Sequence, residues 1–283
     1  MNIKKILLSV VVLAYVGSNN TVVCSTTQHG QDEPITVYSH GYLCNKFFSK
    51  LLHASSEYGN KFCANAFITG PMKSFNYSDC LIPILTYFGQ DGDVERLHHA
   101  CKDHKKVILV GVSRGASTII NYLGLCKPNN IIAAVLESPY DHTEKIGDYF
   151  LDVIFKSIMS EYGKNKFKKF LQLFFVNYKH NGIQPICLTA HIPHTIPLLF
   201  ISSEHDGIIP SWSTKNLYDA LREAGHQNAY LLSCQHGAHG RIIWGKDGKK
   251  FRNIVHAFYR HHKIPHQDSW AAEGQSQFLS ILT

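Results

Sequence analysis

The chain has 283 residues, of which 45% are hydrophobic and 17% are charged. These proportions are ordinary for a folded globular protein and exclude an intrinsically disordered chain. The formal net charge of +7 favours anionic partners, but the lysines are scattered and no DNA- or RNA-binding motif occurs, which argues against a nucleic-acid-binding protein.

Residues 1–18 have the pattern of an export signal peptide. Lys4 and Lys5 give it a positive start, residues 6–16 form an apolar stretch, and small residues at its end provide a cleavage site. The apolar stretch is too short to span a bilayer comfortably. We therefore expect a secreted or periplasmic protein. If the pattern is misleading, the protein is cytoplasmic.

A short polar segment, residues 19–34, follows the signal and contains Cys24. A lipoprotein signal ending at Cys24 is disfavoured, because Val23 is bulkier than the residue that such sites usually have before the cysteine. Export favours one or two disulfides among the eight cysteines. Their spacing contains no CxxC pair and does not indicate which cysteines are joined.

Apolar runs of strand length alternate with segments of helical pattern along the rest of the chain, which predicts an α/β fold. Fully apolar strands in such an alternation indicate a mostly parallel sheet of about six strands with helices on both faces. The predicted strands are residues 35–38, 62–69, 107–110, 131–136, 197–202 and 229–233. The predicted helices are residues 44–58, 91–103, 116–126, 211–224 and 249–262. The tail at 264–283 has no strong period, so we expect it to be loosely docked.

A long insertion at about residues 140–196 separates the fourth predicted strand from the fifth. Residues 151–158 and 167–174 carry apolar side chains at helical spacing, which predicts two amphipathic helices. Two interpretations stay open: a helical cap over a functional site, or helices that pack on the edge of the sheet.

The sequence Gly-Val-Ser-Arg-Gly at 111–115 lies between the third predicted strand and the helix that follows it. A serine on such a tight turn has its hydroxyl lifted out at the end of the sheet, next to the positive end of the helix. Both glycines allow the strand and the helix to approach closely. This context marks Ser113 as a candidate nucleophile.

Two further residues, on loops after later predicted strands, have the side chains that a serine nucleophile needs as partners. Asp206 comes after the fifth predicted strand, and His239 lies in a glycine-flanked loop after the sixth. A neutral imidazole takes the serine proton, and a carboxylate holds the imidazole in place. Glu137 is the most serious rival acid, because it directly follows the predicted strand that comes after the nucleophile. The other rivals are Asp141 and Glu204 for the acid and His236 for the base.

Backbone N–H groups are the expected ligands of a developing oxyanion. The first predicted strand runs into Ser39-His40-Gly41-Tyr42, where the N–H of Tyr42, or of Leu43 if the loop turns one residue later, is a candidate donor. The N–H of Arg114 is the other candidate, and we expect its guanidinium to form a structural ion pair. Without the serine motif, His40-Gly41 reads as an ordinary strand-to-helix turn.

Ser113 in Gly-Val-Ser-Arg-Gly, Asp206 in Ser-Glu-His-Asp-Gly-Ile-Ile-Pro and His239 in Gly-Ala-His-Gly together resemble the α/β-hydrolase family, in its esterase and lipase branch. The resemblance covers roughly residues 35–262. It implies one α/β-hydrolase domain over 35–283, with a helical cap at about 140–196. The family commonly has two strands before the one that ends in His-Gly, and the segment before Pro34 is too short for a full pair.

The sequence therefore predicts an exported serine hydrolase that cleaves carboxylic ester bonds through an acyl-enzyme. The 18 histidines include no HExxH motif, so we expect neither a metal nor another cofactor. The substrate is expected to be a small acyl ester or a lipid, and lysines in the insertion favour contact with an anionic membrane surface. A serine peptidase or acyltransferase on the same triad, and a non-catalytic binding protein that kept the fold, stay as alternatives.

Overall fold

The computed structural model describes residues 33–41, 72–74, 77, 87–146, 149, 163, 179 and 182–282. Several predictions concern residues outside this set: the export signal at 1–18, Cys24, Tyr42, the helix at 44–58, the strand at 62–69 and the helices at 151–158 and 167–174. They stay predictions. No helix within the described ranges is long and apolar enough to cross a membrane.

In the described part of the chain, six parallel strands form one sheet, as predicted. They are β1 (Ile35–Ser39), β2 (Met72–Ser74), β3 (Val107–Val112), β4 (Ile131–Glu137), β5 (Leu198–Ser203) and β6 (Ala229–Cys234). Their order in the sheet is β2-β1-β3-β4-β5-β6. Strand β2 lies between the predicted strand at 62–69 and the predicted helix at 91–103, where we predicted no element, because its three residues are too few to give a strand period.

Helices connect the strands and cover both faces of the sheet. They are α1 (Asp91–Cys101), α2 (Arg114–Cys126), α3 (Pro185–Leu188), α4 (Ser211–Glu223), α5 (Gly248–His261) and α6 (Asp268–Leu279). Ile108 and Val110 belong to a core cluster with residues of α5 and α6. The alternate residues Val107 and Leu109 belong to a cluster with α1, α2 and α4. Burial on both faces explains why the strands are apolar at every position.

The C-terminal tail forms helix α6, so the expectation of a loosely docked segment at 264–283 was wrong. Ala271 and Phe278 are completely buried, and Gly274 lies so close to the main chain of Asn253 in α5 that a larger residue would overlap it. The buried face of α6 is built largely from small residues. Its helical period is therefore weak in hydropathy, although the packing is tight.

The described end of the insertion returns to the body of the protein. Ile192 and Ile196 are buried in the cluster that contains α2 and α4. The side-chain amide of Gln90 donates to the carbonyl of Lys179 and accepts from its N–H, each at 3.0 Å, and the Lys179 ammonium pairs with Asp91 at 2.6 Å. The insertion is thus attached to the N-terminal end of α1.

Four of the eight cysteines lie in the described residues, and none of these four forms a disulfide. They are Cys101, Cys126, Cys187 and Cys234. The prediction of one or two disulfides accordingly rests on cysteines that the structure does not describe.

Candidate active site

The carboxyl ends of neighbouring strands meet at one edge of the sheet, because every strand pair is parallel. Val112 at the end of β3 pairs with Glu137 at the end of β4. Ser113 follows β3 directly, Asp206 follows β5 and His239 follows β6. Residues that are far apart in sequence therefore share this edge, which is where ligands usually bind in open α/β sheets.

Ser113 stands on the turn from β3 into α2 with φ 57° and ψ −121°, a backbone conformation that non-glycine residues rarely adopt. Such a conformation costs about 1–3 kcal/mol and persists only where the surrounding structure holds it. The N–H of Ser113 donates to the carbonyl oxygen of Glu137 at 2.8 Å. Ser113 is 7% exposed. The strand-to-helix turn predicted from the motif is present.

The two glycines of the motif are needed for close packing. A Cβ on Gly115 would overlap the carbonyl oxygen of Ser39, where the start of α2 crosses the end of β1. A Cβ on Gly111 would lie 2.6 Å from Cδ1 of Ile119 and 2.7 Å from the amide nitrogen of Ala116. Both distances are shorter than real contacts, so neither glycine accepts a side chain without displacement of α2.

Asp206 and His239 are joined by a hydrogen bond of 2.8 Å between Oδ2 and Nδ1. The other carboxylate oxygen accepts the N–H groups of Ile208 and Ile209, each at 2.9 Å, which fixes the orientation of the carboxylate. A carboxylate only accepts, so Nδ1 carries the proton. In the neutral imidazole, Nε2 is then left with a lone pair.

The loop that carries His239 passes beside the turn that carries Ser113. A Cβ on Gly240 would lie 3.3 Å from Cγ1 of Val112. Within the described residues, the Ser113 hydroxyl makes no hydrogen bond to His239. Hydrogen bonds between a catalytic serine and its histidine often form only when a substrate is bound. The absence of this bond is therefore compatible with a serine–histidine pair.

His236 lies in the same loop but has different neighbours. Its ring stacks on His205 with 5.3 Å between ring centroids, and its N–H donates to Asp247 at 2.7 Å. Within the described residues, the ring of His236 contacts His205 and Asp247 and not Asp206. In that part of the chain, no group of three or more His, Cys, Asp or Glu side chains is placed to bind a metal ion.

No protein-family model matches the sequence, and no curated protein matches it significantly. Its fold does match solved structures. An esterase of Pyrococcus furiosus has a TM-score of 0.57 at 18% identity, over 82% of this chain and 84% of the esterase. The acylaminoacyl peptidase of Pyrococcus horikoshii has 0.54 at 16% identity, over 82% of this chain and 37% of the peptidase. A bromoperoxidase of Bacillus anthracis has 0.53 at 16% identity, over 82% and 93%.

All three structures have the same architecture of parallel sheet and flanking helices. The chain has the α/β-hydrolase fold. In enzymes of this fold, a strand-to-helix turn in the position of Ser113 commonly carries the nucleophile, and the loops after the strands in the positions of β5 and β6 commonly carry the acid and the histidine. Identities of this size establish the fold alone.

A buried ion pair anchors the turn from β3 into α2 at Ser113, which we call the elbow. Nε and Nη2 of Arg114 donate to the two carboxylate oxygens of Asp93 at 2.7 and 2.5 Å, and the side chains are 2% and 0% exposed. The guanidinium carbon lies 4.3 Å from the ring centre of Tyr77, and Asp93 also accepts the N–H of Gly89 at 2.6 Å. The prediction of a structural ion pair for Arg114 is confirmed. Its partner was missed, because nothing local in the sequence links residue 93 with residue 114.

One of the two candidate oxyanion donors lies in the described residues. Arg114 is the first residue of α2, and the N–H groups of a first helical turn have no acceptor within their own helix. The other donor, Tyr42, lies just beyond the described residues. Its neighbour Gly41 is close to the elbow, since a Cβ there would lie 3.5 Å from Cβ of Ser113.

Two of the three rival acids are engaged away from His239. Asp141 accepts hydrogen bonds from Oγ of Ser213 at 2.7 Å and from Nδ2 of Asn216 at 3.0 Å. Glu204 is exposed at the surface. Neither hydrogen-bonds to the imidazole in the described part of the chain, which leaves Asp206 as its carboxylate partner.

The third rival, Glu137, is buried next to the Asp206–His239 pair. Its residue is 4% exposed, and Oε1 accepts the N–H of Ile242 at 3.4 Å. Burial raises the pKa of its carboxyl to about 7, the negative charge of Asp206 adds to the rise, and the Ile242 N–H and His239 oppose it. Glu137 therefore titrates in the physiological range.

Proposed function

We propose that this protein is a serine hydrolase that cleaves carboxylic esters through an acyl-enzyme. Ser113 is the proposed nucleophile, His239 the base and Asp206 the carboxylate that orients it. The backbone N–H groups of Arg114 and Tyr42 are the proposed oxyanion donors. The esterase and the peptidase among its structural neighbours are both hydrolases, which supports hydrolysis as the reaction class.

The hydrogen bond between Asp206 and His239, at the sheet edge where Ser113 stands, carries this proposal. A buried, fully hydrogen-bonded carboxylate that holds one imidazole nitrogen is the arrangement that a serine nucleophile requires. Ser113 adds a strained backbone, and strain of this kind is concentrated at functional sites. A protein that only binds ligands has no use for all three features together.

The chemistry follows from the geometry of these side chains. Nε2 of His239 takes the proton of the Ser113 hydroxyl as Oγ attacks the ester carbonyl, and Asp206 stabilises the imidazolium that forms. The oxyanion then accepts hydrogen bonds from backbone N–H groups at the positive end of α2. The imidazolium gives its proton to the leaving alcohol oxygen. In the second half-reaction, Nε2 takes a proton from water as the water oxygen attacks the acyl-enzyme carbonyl, and the imidazolium returns that proton to Oγ of Ser113 as the acid leaves.

A serine peptidase on the same three residues is the second candidate. The observation that favours it is the structural match to an acylaminoacyl peptidase. Ester and amide hydrolysis use the same nucleophile, base and oxyanion donors and differ in the leaving group, so only substrates separate the two.

Labelling by a fluorophosphonate tests the nucleophile. The wild-type protein should be labelled covalently, and Ser113→Ala should not, because the phosphonylated oxygen is gone. Ser117→Ala is the matched control, since Ser117 lies one turn further along α2, is buried and bonds the backbone of Tyr140. Mass spectrometry of the labelled peptide locates the adduct. A folded wild type that never reacts, or a Ser113→Ala variant that still does, supports the non-catalytic alternative.

A series of p-nitrophenyl esters tests the substrate class. We expect kcat/KM to rise from acetate to hexanoate, by up to about fourfold per methylene, because each buried CH₂ contributes about 0.8 kcal/mol. This expectation rests on the apolar stripes of the insertion, at 151–158 and 167–174. Peptide amides should be poor substrates. If acetate is the best ester, or an aminoacyl amide is cleaved faster than every ester, the peptidase candidate replaces the esterase.

A further inference from the structure

Glu137 is a buried carboxyl to which the proposed reaction assigns no step. It ends β4, the strand that lies between the one leading to Ser113 and the one leading to Asp206. An acidic side chain is almost never fully buried without a compensating partner. Within the described residues, its side chain accepts a single hydrogen bond, the long one from the N–H of Ile242 at 3.4 Å. Burial of this carboxyl therefore lowers the stability of the folded protein.

Glu137 connects the two loops that carry the nucleophile and the base. Its carbonyl oxygen accepts the N–H of Ser113 at 2.8 Å, and its side chain accepts the N–H of Ile242. Ile242 follows His239 in the same loop and begins the short 3₁₀ helix at Ile242–Trp244. One residue thus bonds the elbow through its main chain and the histidine loop through its side chain.

A second strained backbone conformation, besides that of Ser113, lies at the end of β4. Ser138, which follows Glu137, has φ 49°, and its N–H donates to the carbonyl of Ile201 at 2.8 Å. Its hydroxyl is buried without a hydrogen-bond partner in the described residues. A left-handed serine with an unsatisfied hydroxyl persists only where neighbouring strands hold the chain in place. The direction in which β4 ends is therefore set by the sheet.

Among the residues that the structure describes, three titratable side chains interact electrostatically with the carboxyl of Glu137. His239 and Asp206 lie on the loops after β6 and β5, and Cys234 ends β6. Burial raises the pKa of the Cys234 thiol to about 12, so this side chain stays neutral. Asp206 is hydrogen-bonded to the imidazole and to two backbone N–H groups. Of these three groups, the imidazole of His239 is the one that takes and gives a proton in the proposed reaction.

We propose that Glu137 is a second carboxyl of this site, a positioning residue that holds the His239 loop against β4 and whose negative charge, when present, makes His239 a stronger base. The inference deepens the proposed function and rests on it for its effect on rate. Its effect on the imidazole itself does not depend on catalysis.

The sign of the coupling follows from simple electrostatics. Above neutral pH, Glu137 is ionised and its negative charge stabilises the imidazolium of His239. Below that range Glu137 is protonated and the stabilisation disappears. We therefore expect the NMR signal of the wild-type imidazole to show two inflections, one from its own proton and one from that of Glu137.

The experiment follows the imidazole signal of His239 by NMR from about pH 5 to pH 9, in the wild type and in Glu137→Gln. Glutamine keeps the size of the side chain and the acceptor for Ile242 but removes the charge. The signal is identified as the one lost in His239→Gln. We expect one inflection in Glu137→Gln, with a midpoint about one pH unit lower than the upper wild-type inflection. Glu204→Gln removes an exposed charge from the same edge and should leave the wild-type curve unchanged.

A second readout is the rate of fluorophosphonate labelling. In Glu137→Gln it should fall about tenfold near pH 8 and change less than about twofold near pH 5.5, where the wild-type carboxyl is already neutral. Glu137→Met also removes the acceptor for Ile242, so its rate should fall at both pH values. An imidazole curve that is the same in the wild type and in Glu137→Gln overturns the proposal, as does a loss of rate that is equal at both pH values. If the wild type is never labelled but the curve changes, the proposed function fails and the role of Glu137 stands.

Discussion

His239→Ala is expected to lower kcat on an ester substrate by at least about 10³-fold, because the serine proton then has no base to accept it. The structure gives the reason for choosing this histidine. Its Nδ1 is held by Asp206 at 2.8 Å, and its loop passes beside the residue before Ser113. KM should change little, since the imidazole acts mainly in the transition state. Steady-state kinetics on a p-nitrophenyl ester measures both parameters.

His236→Ala is the matched control, because it removes an imidazole from the same loop. His236 stacks on His205 and its N–H binds Asp247, so its loss should lower kcat by less than about tenfold. Thermal unfolding of both variants checks that the loop has kept its fold. A large loss in His236→Ala with a small loss in His239→Ala would reverse the assignment of the base.

Asp93→Ala is expected to destabilise the protein by about 3–5 kcal/mol, the usual cost of removing one partner of a buried ion pair. The variant leaves the Arg114 guanidinium, 2% exposed, without its carboxylate, and it also removes the acceptor of the Gly89 N–H. Because Arg114 directly follows Ser113, the elbow should loosen as well. Urea unfolding measures the loss of stability, and fluorophosphonate labelling measures the loss of elbow geometry.

Asp91→Ala is the control for this prediction, because Asp91 is also in the first turn of α1 and is also paired with a cation. Its partner is Lys179, and the two side chains are 51% and 68% exposed. Exposed pairs contribute little, so the urea midpoint should stay nearly unchanged. Arg114→Met combined with Asp93→Ala should recover part of the lost stability, since no buried charge then remains. If Asp93→Ala is as mild as Asp91→Ala, the ion pair does not anchor the elbow.

Short-range patterns were sufficient to predict most of the described elements. Five of the six described strands, and helices α1, α2, α4 and α5, begin and end within a few residues of the predicted bounds. Each of these elements has either a fully apolar run or a clear amphipathic period, so neighbouring residues alone predict whether it is a strand or a helix. The elbow belongs to the same class, because a strand, a tight turn with glycines and a helix start are all local features.

Features without a local pattern were missed or misjudged. Helix α6 buries alanine, glycine and a single phenylalanine, so its period is nearly invisible in hydropathy. Strand β2 has three residues and depends on pairing with β1. The partner of Arg114 was also missed, because Asp93 comes near it only when α1 packs beside α2.

The sequence by itself determined the class of fold, the position of the elbow and the order of the serine, acid and histidine along the chain. Only the tertiary structure decided which acid and which histidine are bonded. Four acids and two histidines follow the relevant strands, and their distances depend on register, on the twist of the sheet and on loop paths that no single segment encodes. The different surroundings of Glu137 and Asp206 also arise only in the tertiary structure. Both end or follow an apolar strand, but one carboxylate meets three hydrogen-bond donors and the other meets one long bond in a buried space.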